Sequence, residues 1–278
     1  MHWKFIRKVI MSTVISMATI DAASGAAPAS GVKPPTPHYI RLGFEQQEFT
    51  GSNGKTLKYC IKEAGNWDAA QEKIPLVLFF HGAGERGDDN SKQLYHGGAQ
   101  LTNYCKKNNV NALLVFPQCP NGKQWVDTPW GKTSHTMPEI SESMDLAMQL
   151  LDALLKKYEG KVDPDRVYVM GISMGGYGTW DAISRFPGKF AAAFPVCGGV
   201  DEAQVEKFKH LPILFYHGDI DTIVPTVRSR NAAEALKKAG STSFTYVEVP
   251  KCAHGSWGPA FKKKENWDWL FQQKRSKK

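Results

Sequence analysis

The chain has 278 residues, 42% of them hydrophobic, which is enough for one sizeable α/β domain and too few for two large ones. Its formal net charge is +8, and much of the excess lies near the ends, in residues 4–8, 262–264 and 274–278. We interpret these runs as solvated tails, although a basic surface also favours acidic partners such as uronic-acid polysaccharides. Aromatic residues are not interleaved with the basic ones, so the sequence predicts no nucleic-acid partner.

The first 23 residues resemble a secretory signal peptide. Lys4, Arg7 and Lys8 precede a short apolar stretch at 9–20, and small residues follow it. That stretch is too short to span a bilayer, so no stable membrane anchor is predicted. We therefore expect a secreted or periplasmic protein, with a disordered N-terminal tail as the alternative. The prediction assigns residues 1–23 to the signal peptide, 24–37 to an Ala- and Pro-rich linker and 38–278 to a catalytic domain.

Buried strand patterns then alternate with helical ones, which predicts an α/β fold with a mostly parallel sheet and helices on both faces. Two long connections, at 92–109 and 118–138, fall where binding sites are usually built. In chain order the predicted elements are strands at 39–49, 56–62, 75–80 and 112–116, a helix at 139–158, strands at 166–170, 190–196 and 212–216, a helix at 228–239, a strand at 244–249 and a helix at 266–272.

The five cysteines show no C-x-x-C spacing, so the sequence predicts no metal site, and it indicates no cofactor. In a secreted protein, one or two disulfides would form and one thiol would be left over. Cys197 ends an apolar strand pattern, so we interpret it as a small buried hydrophobic residue.

A G-x-S-x-G motif at 171–175 is the most informative stretch of the chain. The strand predicted at 166–170 precedes it and a helical pattern follows it. A serine on such a sharp strand-to-helix turn is typical of the nucleophile of an α/β-hydrolase. The sequence therefore predicts Ser173 as a catalytic nucleophile, with an idle serine in a Gly-rich turn as the alternative.

A serine nucleophile needs a histidine base and a carboxylate that orients it, and in this fold the order along the chain is nucleophile, acid, base. His254 lies in a loop just after the last predicted strand, where the base belongs, whereas we interpret His217 as a structural histidine at a strand end. The acid is expected after the strand at 212–216. Asp219 and Asp221 both lie there, and periodicity does not separate them.

The negatively charged oxygen of the reaction intermediate needs two backbone N–H donors. One is predicted to be the amide of Met174, directly after the nucleophile. The second is predicted in the Gly-rich loop at 81–87, at Ala83, with Gly84 as the alternative. In the same loop we expect His81 to act as a bracing hydrogen-bond partner, and Glu85 and Arg86 to form a bracing ion pair.

Three segments carry a resemblance to a known family. Residues 81–90 read HGAGERGDDN, residues 171–180 read GISMGGYGTW and residues 217–225 read HGDIDTIVP. These segments resemble secreted α/β-hydrolase esterases often labelled predicted peptidases, which adjoin carbohydrate esterase family 1, including feruloyl and acetyl xylan esterases, and polyhydroxybutyrate depolymerase-like enzymes. The resemblance implies that Asp221 is the acid of the triad. Gly255 departs from it, because relatives often carry aspartate there.

The resemblance implies a secreted serine carboxylesterase that hydrolyses small or aromatic acyl esters on plant-type polysaccharides. The expected substrate is thus a small-molecule or polysaccharide ester, and the oligomeric state is not predicted. Gln118, Trp125 and Trp257 are the predicted substrate-binding side chains. The tryptophans, with Trp130, have aromatic faces that suit sugar and phenolic rings.

Two alternatives belong to other classes. A prolyl-oligopeptidase-type serine peptidase shares the fold, but such enzymes usually carry a large propeller for which this chain has no room. A non-catalytic binding protein on a hydrolase scaffold tends to lose triad residues, whereas this chain keeps a full candidate set. A dienelactone-type hydrolase would normally place cysteine at position 173.

Overall fold

The computed structural model describes residues 36–68 and 70–275. The predicted signal peptide and residues 24–35 of the predicted linker lie outside these residues. The strands are β1 Glu45–Thr50, β2 Thr56–Ala64, β3 Ile74–Phe80, β4 Ala112–Pro117, β5 Val162–Ile172, β6 Ala192–Val196, β7 Ile213–Gly218 and β8 Phe244–Val249. The helices are α1 His38–Leu42, α2 Gly98–Asn108, α3 Glu142–Lys157, α4 Met174–Arg185, α5 Val227–Lys238, α6 Trp257–Lys262 and α7 Lys264–Gln272.

The strands form one eight-stranded sheet in the order β1-β2-β4-β3-β5-β6-β7-β8. β2 is antiparallel to both β1 and β4, and every other neighbouring pair is parallel. The predicted mostly parallel sheet is therefore confirmed. The carboxyl ends of β3 to β8 meet at one edge of the sheet, and the loops that carry the predicted site residues leave from that edge.

The core lies on both faces of the sheet because the central strands are buried on both sides. Every residue of β3 is buried, and its side chains alternate between two apolar layers. One layer contains α3, α4 and α5, and the other contains α2, α6 and α7. Continuous apolar runs in the central strands are what a parallel sheet covered by helices requires.

The first predicted strand, at 39–49, is wrong over its first half. A short helix, α1, occupies His38–Leu42, and β1 starts only at Glu45. Pro37 precedes the helix, and Gly43 ends it in the left-handed conformation, with φ of 68°. The alternation of apolar residues in this stretch is typical of a strand, so it did not indicate a helix of only one turn.

Two further helices were not predicted. α2 lies inside the connection at 92–109, where it buries Leu101, Tyr104 and Cys105 against the sheet. α6 contains Gly258 and Pro259, residues that oppose helix formation. Tertiary packing determines both helices, because their intrinsic helical signals are weak. No helix in the described ranges has the length and apolarity needed to cross a membrane.

The expectation of one or two disulfides is not met. All five cysteines lie in the described residues and all are free thiols, and four of them are buried: Cys60, Cys105, Cys119 and Cys197. Burial raises the pKa of the Cys60 and Cys105 thiols to about 12 and that of Cys119 to about 11. These cysteines are therefore packed as protonated, apolar groups.

Candidate active site

Ser173 lies on a sharp turn between β5, which ends at Ile172, and α4, which begins at Met174. Its φ of 53° and ψ of −118° are costly for a residue with a side chain. Flanking glycines permit the turn. A Cβ at Gly171 would lie 2.3 Å from the Gly175 carbonyl oxygen, and one at Gly175 would lie 2.0 Å from that of Phe80. The Ser173 amide donates to the Val196 carbonyl at 2.9 Å, which holds the turn against β6.

Three side chains from three loops form a continuous hydrogen-bonded chain. The Ser173 Oγ lies 2.8 Å from Nε2 of His254, and His254 Nδ1 lies 2.8 Å from Oδ2 of Asp221. Ser173 follows β5, Asp221 follows β7 and His254 follows β8. The geometry requires that His254 carry its proton on Nδ1, so that Nε2 accepts the serine hydroxyl. The structure thus brings together the serine, histidine and aspartate that the sequence analysis selected.

Asp221 is the buried end of this chain, with a fully inaccessible side chain. Its Oδ1 accepts from the amides of Ile223 and Val224 at 2.9 and 3.0 Å, and Nε2 of His217 lies 3.3 Å from its Oδ2. Burial by itself raises the pKa of Asp221, but the hydrogen bonds from His217, His254 and the two amides outweigh it. The net pKa lies well below the ordinary value, so the carboxylate is ionised in the neutral range.

Asp219 has a different task. Its Oδ1 accepts the amide of Cys252 at 3.1 Å, which ties the loop after β7 to the loop that carries His254. His217 is fully buried, and its two ring nitrogens meet the Ser229 hydroxyl at 2.7 Å and the Val224 carbonyl at 2.9 Å. The structural role predicted for His217 fits these contacts. The contact of His217 with Asp221 was not predicted, because the separation of two residues along the chain does not give the distance between their side chains in the fold.

The loop after β3 is held from several sides. His81 is buried, its Nδ1 donates to the Gly82 carbonyl at 2.7 Å, and its Nε2 accepts the amide of Cys119 at 2.9 Å. Burial lowers the pKa of His81 to about 4, which keeps the ring neutral in this acceptor role. The Arg86 side chain donates to the Ala83 carbonyl at 2.9 Å and also to that of Lys123. The bracing role predicted for His81 agrees with these bonds.

The expected ion pair between Glu85 and Arg86 is replaced by other partners. Glu85 is buried, and its carboxylate lies 3.7 Å from Nε2 of His96. Burial raises the pKa of Glu85 above its ordinary value. The His96 ring in turn lies 5.3 Å from the ring of Trp257, three residues after His254. His96 was not singled out from the sequence, because no motif marks it.

The two predicted oxyanion donors lie at the same edge of the sheet. Met174 is the first residue of α4, where backbone N–H groups have no acceptor within the helix. Ala83 opens a short 3-10 turn, Ala83–Glu85, directly after β3. The first turn of α4 touches this loop, since a Cβ at Gly175 would lie 2.7 Å from the His81 carbonyl oxygen. Both amides thus belong to segments in contact beside Ser173.

Two of the three predicted substrate-binding side chains do not line the site. Gln118 is buried, and its amide group accepts from the Asn90 amide at 2.7 Å and donates to the Glu85 carbonyl at 3.1 Å. Trp125 is fully buried against Phe80, and its Nε1 donates to the His81 carbonyl at 3.1 Å. Both predictions are wrong because these residues brace the loop after β3 from inside.

The other two tryptophans named in the sequence analysis, Trp257 and Trp130, are both half-buried, but they lie in different places. Trp257 lies edge-on to His254, with ring centroids 5.5 Å apart and planes at 90°. It is therefore next to the candidate base, and its role in substrate binding stays a prediction. Trp130 packs under the Arg86 guanidinium, 5.8 Å from its ring centroid, and its carbonyl accepts the Tyr177 hydroxyl at 3.0 Å.

Within the described ranges, one group of side chains has the composition of a metal site. Cys197, Asp221 and His254 place one potential ligand atom each within 4.8 Å of one another. His254 and Asp221 are already hydrogen-bonded to each other, and burial raises the pKa of the Cys197 thiol. A thiol held in its protonated form is a poor metal ligand, so we interpret Cys197 as a small buried apolar residue close to Asp221 and His254.

The comparisons with known proteins agree with this geometry. The Phospholipase/Carboxylesterase family profile matches residues 67–267. A poly(3-hydroxyoctanoate) depolymerase of Pseudomonas fluorescens is 29% identical over 202 residues, which cover 66% of this chain and 67% of that protein. A bifunctional acetylxylan esterase/xylanase of Neocallimastix patriciarum is 29% identical over 200 residues, or 68% of this chain and 26% of that protein.

Among solved structures, a thermostable esterase matches with a TM-score of 0.73 and 33% identity over 84% of this chain. The chain spans 63% of the length of that esterase. The family profile covers most of the described residues, including all three members of the hydrogen-bonded chain. The chain therefore belongs to the phospholipase/carboxylesterase family, and its described domain is a serine-type hydrolase of esters with the α/β-hydrolase fold.

Proposed function

We propose that Ser173, His254 and Asp221 are the catalytic triad of a carboxylesterase. The observation that carries this proposal is the unbroken hydrogen-bond chain of two 2.8 Å contacts from the serine hydroxyl to a buried carboxylate. Ser173 keeps 8% of its surface exposed.

In the proposed mechanism the Ser173 oxygen attacks the ester carbonyl carbon while His254 Nε2 takes the hydroxyl proton. Asp221 holds the Nδ1–H of His254 and stabilises the imidazolium that forms. The amides of Met174 and Ala83 donate to the oxyanion. His254 then protonates the alcohol that leaves, and a water molecule repeats the sequence on the acyl-enzyme to release the acid.

We further propose that the natural substrates are esters of small or aromatic acids on carbohydrates. Two observations support this. Trp257 presents an aromatic ring beside His254, and such rings suit sugar and phenolic groups. The likeness to an acetylxylan esterase/xylanase points to the same substrate class.

The experiment is a comparison of kcat/KM across 4-nitrophenyl esters of increasing acyl length, methyl ferulate, acetylated xylan and a proline anilide. The proposal expects acetyl or feruloyl esters to be the best substrates. Values that rise steadily up to long fatty acyl chains would favour a lipase. Faster hydrolysis of the anilide than of every ester would favour a peptidase and reject the proposal.

We also propose that the protein is secreted or periplasmic, without a stable membrane anchor. The basic residues, apolar stretch and small residues at the N-terminus support it. N-terminal sequencing of protein from the native host is expected to find a start between residues 23 and 31. A cytoplasmic protein with Met1 intact would contradict this localisation.

A further inference from the structure

A fully buried arginine without an acidic partner lies beside the candidate active site. Arg228 is in the first turn of α5, seven residues after Asp221, and its side chain is inaccessible to solvent. Its Nη2 meets Nδ1 of His135, but its Nε and Nη1 have no hydrogen-bond partner among the described residues. No carboxylate of the described chain forms an ion pair with it.

The neutral groups around Arg228 do not replace a counter-ion. Burial, together with the nearby Arg228 charge, lowers the pKa of His135 to about 4, so His135 is a neutral acceptor. The Tyr177 ring lies 5.3 Å from the guanidinium carbon and contributes a cation–π contact. A buried charge normally has an anionic partner and satisfied donors, because desolvating it is costly. Arg228 lacks both.

The acidic residues nearby are committed elsewhere. The Asp201 carboxylate accepts from the amides of Ala203 and Met137 and from the Gln204 side chain. The carboxylate of Asp221 is occupied by His254 and by backbone amides. The missing anion is therefore one that the described protein does not supply.

The Arg228 guanidinium is connected to the nucleophile through the first turn of α4, the helix that begins directly after Ser173. The guanidinium packs on Tyr177, whose amide donates to the Ser173 carbonyl at 3.1 Å, one helical turn from the serine. It also lies flat on Gly199, where a Cβ would come within 2.2 Å of Nε. Gly199 follows β6 at the same edge of the sheet. These contacts place the guanidinium behind the first turn of α4.

His135, which accepts from the guanidinium, is less buried than Arg228 itself. It is half-buried, and its neighbours Ser134 and Thr136 are exposed. Its imidazole offers one acceptor to Arg228, whereas a carboxylate offers two oxygens to the planar fork of N–H donors. Exchange of this single neutral acceptor for a carboxylate would satisfy the two free N–H groups.

We propose that Arg228 binds a carboxylate carried by the substrate, in exchange for His135, so that the enzyme prefers esters with a second, anionic end. This inference rests on the proposed esterase function. The carboxylate belongs either to the acid side of the ester, as in half-esters of dicarboxylic acids, or to the alcohol side, as in esters of hydroxy acids or uronic acids. A bidentate arginine recognises the same planar group in both cases.

Two matched pairs of substrates distinguish these sources. For the acid side, kcat/KM is compared between mono(4-nitrophenyl) adipate and its neutral amide, 4-nitrophenyl adipamate. For the alcohol side, 4-acetoxybenzoate is compared with 4-acetoxybenzamide. A charge-assisted bidentate contact predicts a preference of about tenfold to a hundredfold for the anion in one of the two pairs.

The variant Arg228→Met is expected to lower that preference at least about tenfold, whatever happens to the absolute rate. Arg230→Met is the matched control: Arg230 lies on the same helix but is exposed and paired with Glu248, so the preference should persist. If Arg228→Met does not fold, Arg228→Lys keeps the charge without the fork and should lower the preference in part. Adipate should also inhibit hydrolysis of the neutral ester by the wild type competitively, and adipamide should not.

A wild type that hydrolyses the neutral esters but shows no preference for the anion in either pair would overturn this inference alone. The same holds for a preference that Arg228→Met and Arg228→Lys both leave intact. No hydrolysis of any of the four esters would instead reject the proposed esterase function.

Discussion

Two buried charges lie seven residues apart on the segment that follows β7, and their surroundings differ completely. Asp221 has its oxygens occupied by His254, by His217 and by two backbone amides. Arg228 has one neutral contact to His135 and two N–H groups without a partner in the described residues. The Asp221 carboxylate thus has its hydrogen-bond partners before any substrate binds, whereas the Arg228 guanidinium has only part of its hydrogen bonds.

The difference separates groups that perform chemistry from a group that awaits a ligand. A catalytic carboxylate works only if its orientation is set in advance, since reorganisation during the reaction would cost rate. A recognition group has to be satisfied by what it binds. Substitutions of Ser173, His254 or Asp221 should therefore have large effects on the rate of hydrolysis. Substitution of Arg228 should have only a small effect on the stability of the free protein.

The largest expected effect is that of Ser173→Ala on turnover. Loss of the nucleophile of a complete triad typically costs about 10⁶-fold in kcat. The protein should still fold, because the turn at Ser173 depends on its flanking glycines and not on the hydroxyl. The measurement is kcat on 4-nitrophenyl acetate together with the thermal unfolding midpoint.

Labelling by a fluorophosphonate provides the control for this variant. Wild type should carry the label on the peptide that contains Ser173, and the variant should not be labelled. Retention of even a tenth of the wild-type kcat would show that the hydrogen-bonded chain is not the catalytic one.

The next effect distinguishes the two aspartates of the same loop. Asp221→Asn is expected to lower kcat about 10⁴-fold, because an amide in place of the carboxylate favours the wrong tautomer of His254. Asp219→Asn should cost less than about tenfold, since Asp219 only accepts the amide of Cys252. Equal losses in the two variants, or a larger one in Asp219→Asn, would remove Asp221 from the role of acid.

Sequence reasoning reached the elements and residues that repeat a local pattern. The apolar runs of β3 to β7 predicted a parallel sheet, and the G-x-S-x-G turn predicted the position of Ser173. Chain order, together with a position in the loop just after the last predicted strand, selected His254, and only the family resemblance separated Asp221 from Asp219. The apolar runs, the G-x-S-x-G turn and the segments that carry the resemblance are each contained in a few consecutive residues.

What sequence reasoning missed depends on distances between remote segments. Gln118 and Trp125 look like polar and aromatic loop residues, but both side chains turn inward to brace the loop after β3. The approach of His96 to Glu85, and the burial of Arg228 under His135, join segments far apart in the chain. No periodicity or spacing encodes such contacts.

His81 is a third buried group, and it differs from Asp221 and Arg228 because it is neutral and both of its ring nitrogens are hydrogen-bonded. Its folded-state pKa of about 4 lies below the ordinary value of about 6.5, so between these values the unfolded chain binds a proton that the folded chain does not. The free energy of unfolding should therefore fall as the pH is lowered from about 6.5 to about 4, by at most about 3 kcal/mol from this residue.

Urea denaturation at pH 7, 5 and 4 measures the slope of the free energy of unfolding against pH. His81→Gln should be less stable at pH 7 but lose less stability on acidification. The exposed His210 provides a matched control, and His210→Gln should keep the wild-type slope. An unchanged slope in His81→Gln would mean that His81 does not couple folding to protonation.

The smallest expected effect is that of Arg228→Met on the stability of the free protein. The substitution removes the contact to His135 and the cation–π contact with Tyr177, and it also removes a buried charge that has no counter-ion. Replacing buried charges by apolar groups of similar volume is often neutral or stabilising, so the free energy of unfolding should change by less than about 1 kcal/mol. Asp221→Ala should by contrast cost roughly 3 kcal/mol, because it leaves buried donors without an acceptor. Urea midpoints at constant m-value give both numbers, and adipate should raise the midpoint of the wild type but not that of Arg228→Met. A loss in Arg228→Met as large as that in Asp221→Ala would show that Arg228 is already satisfied within the fold and is not waiting for a ligand.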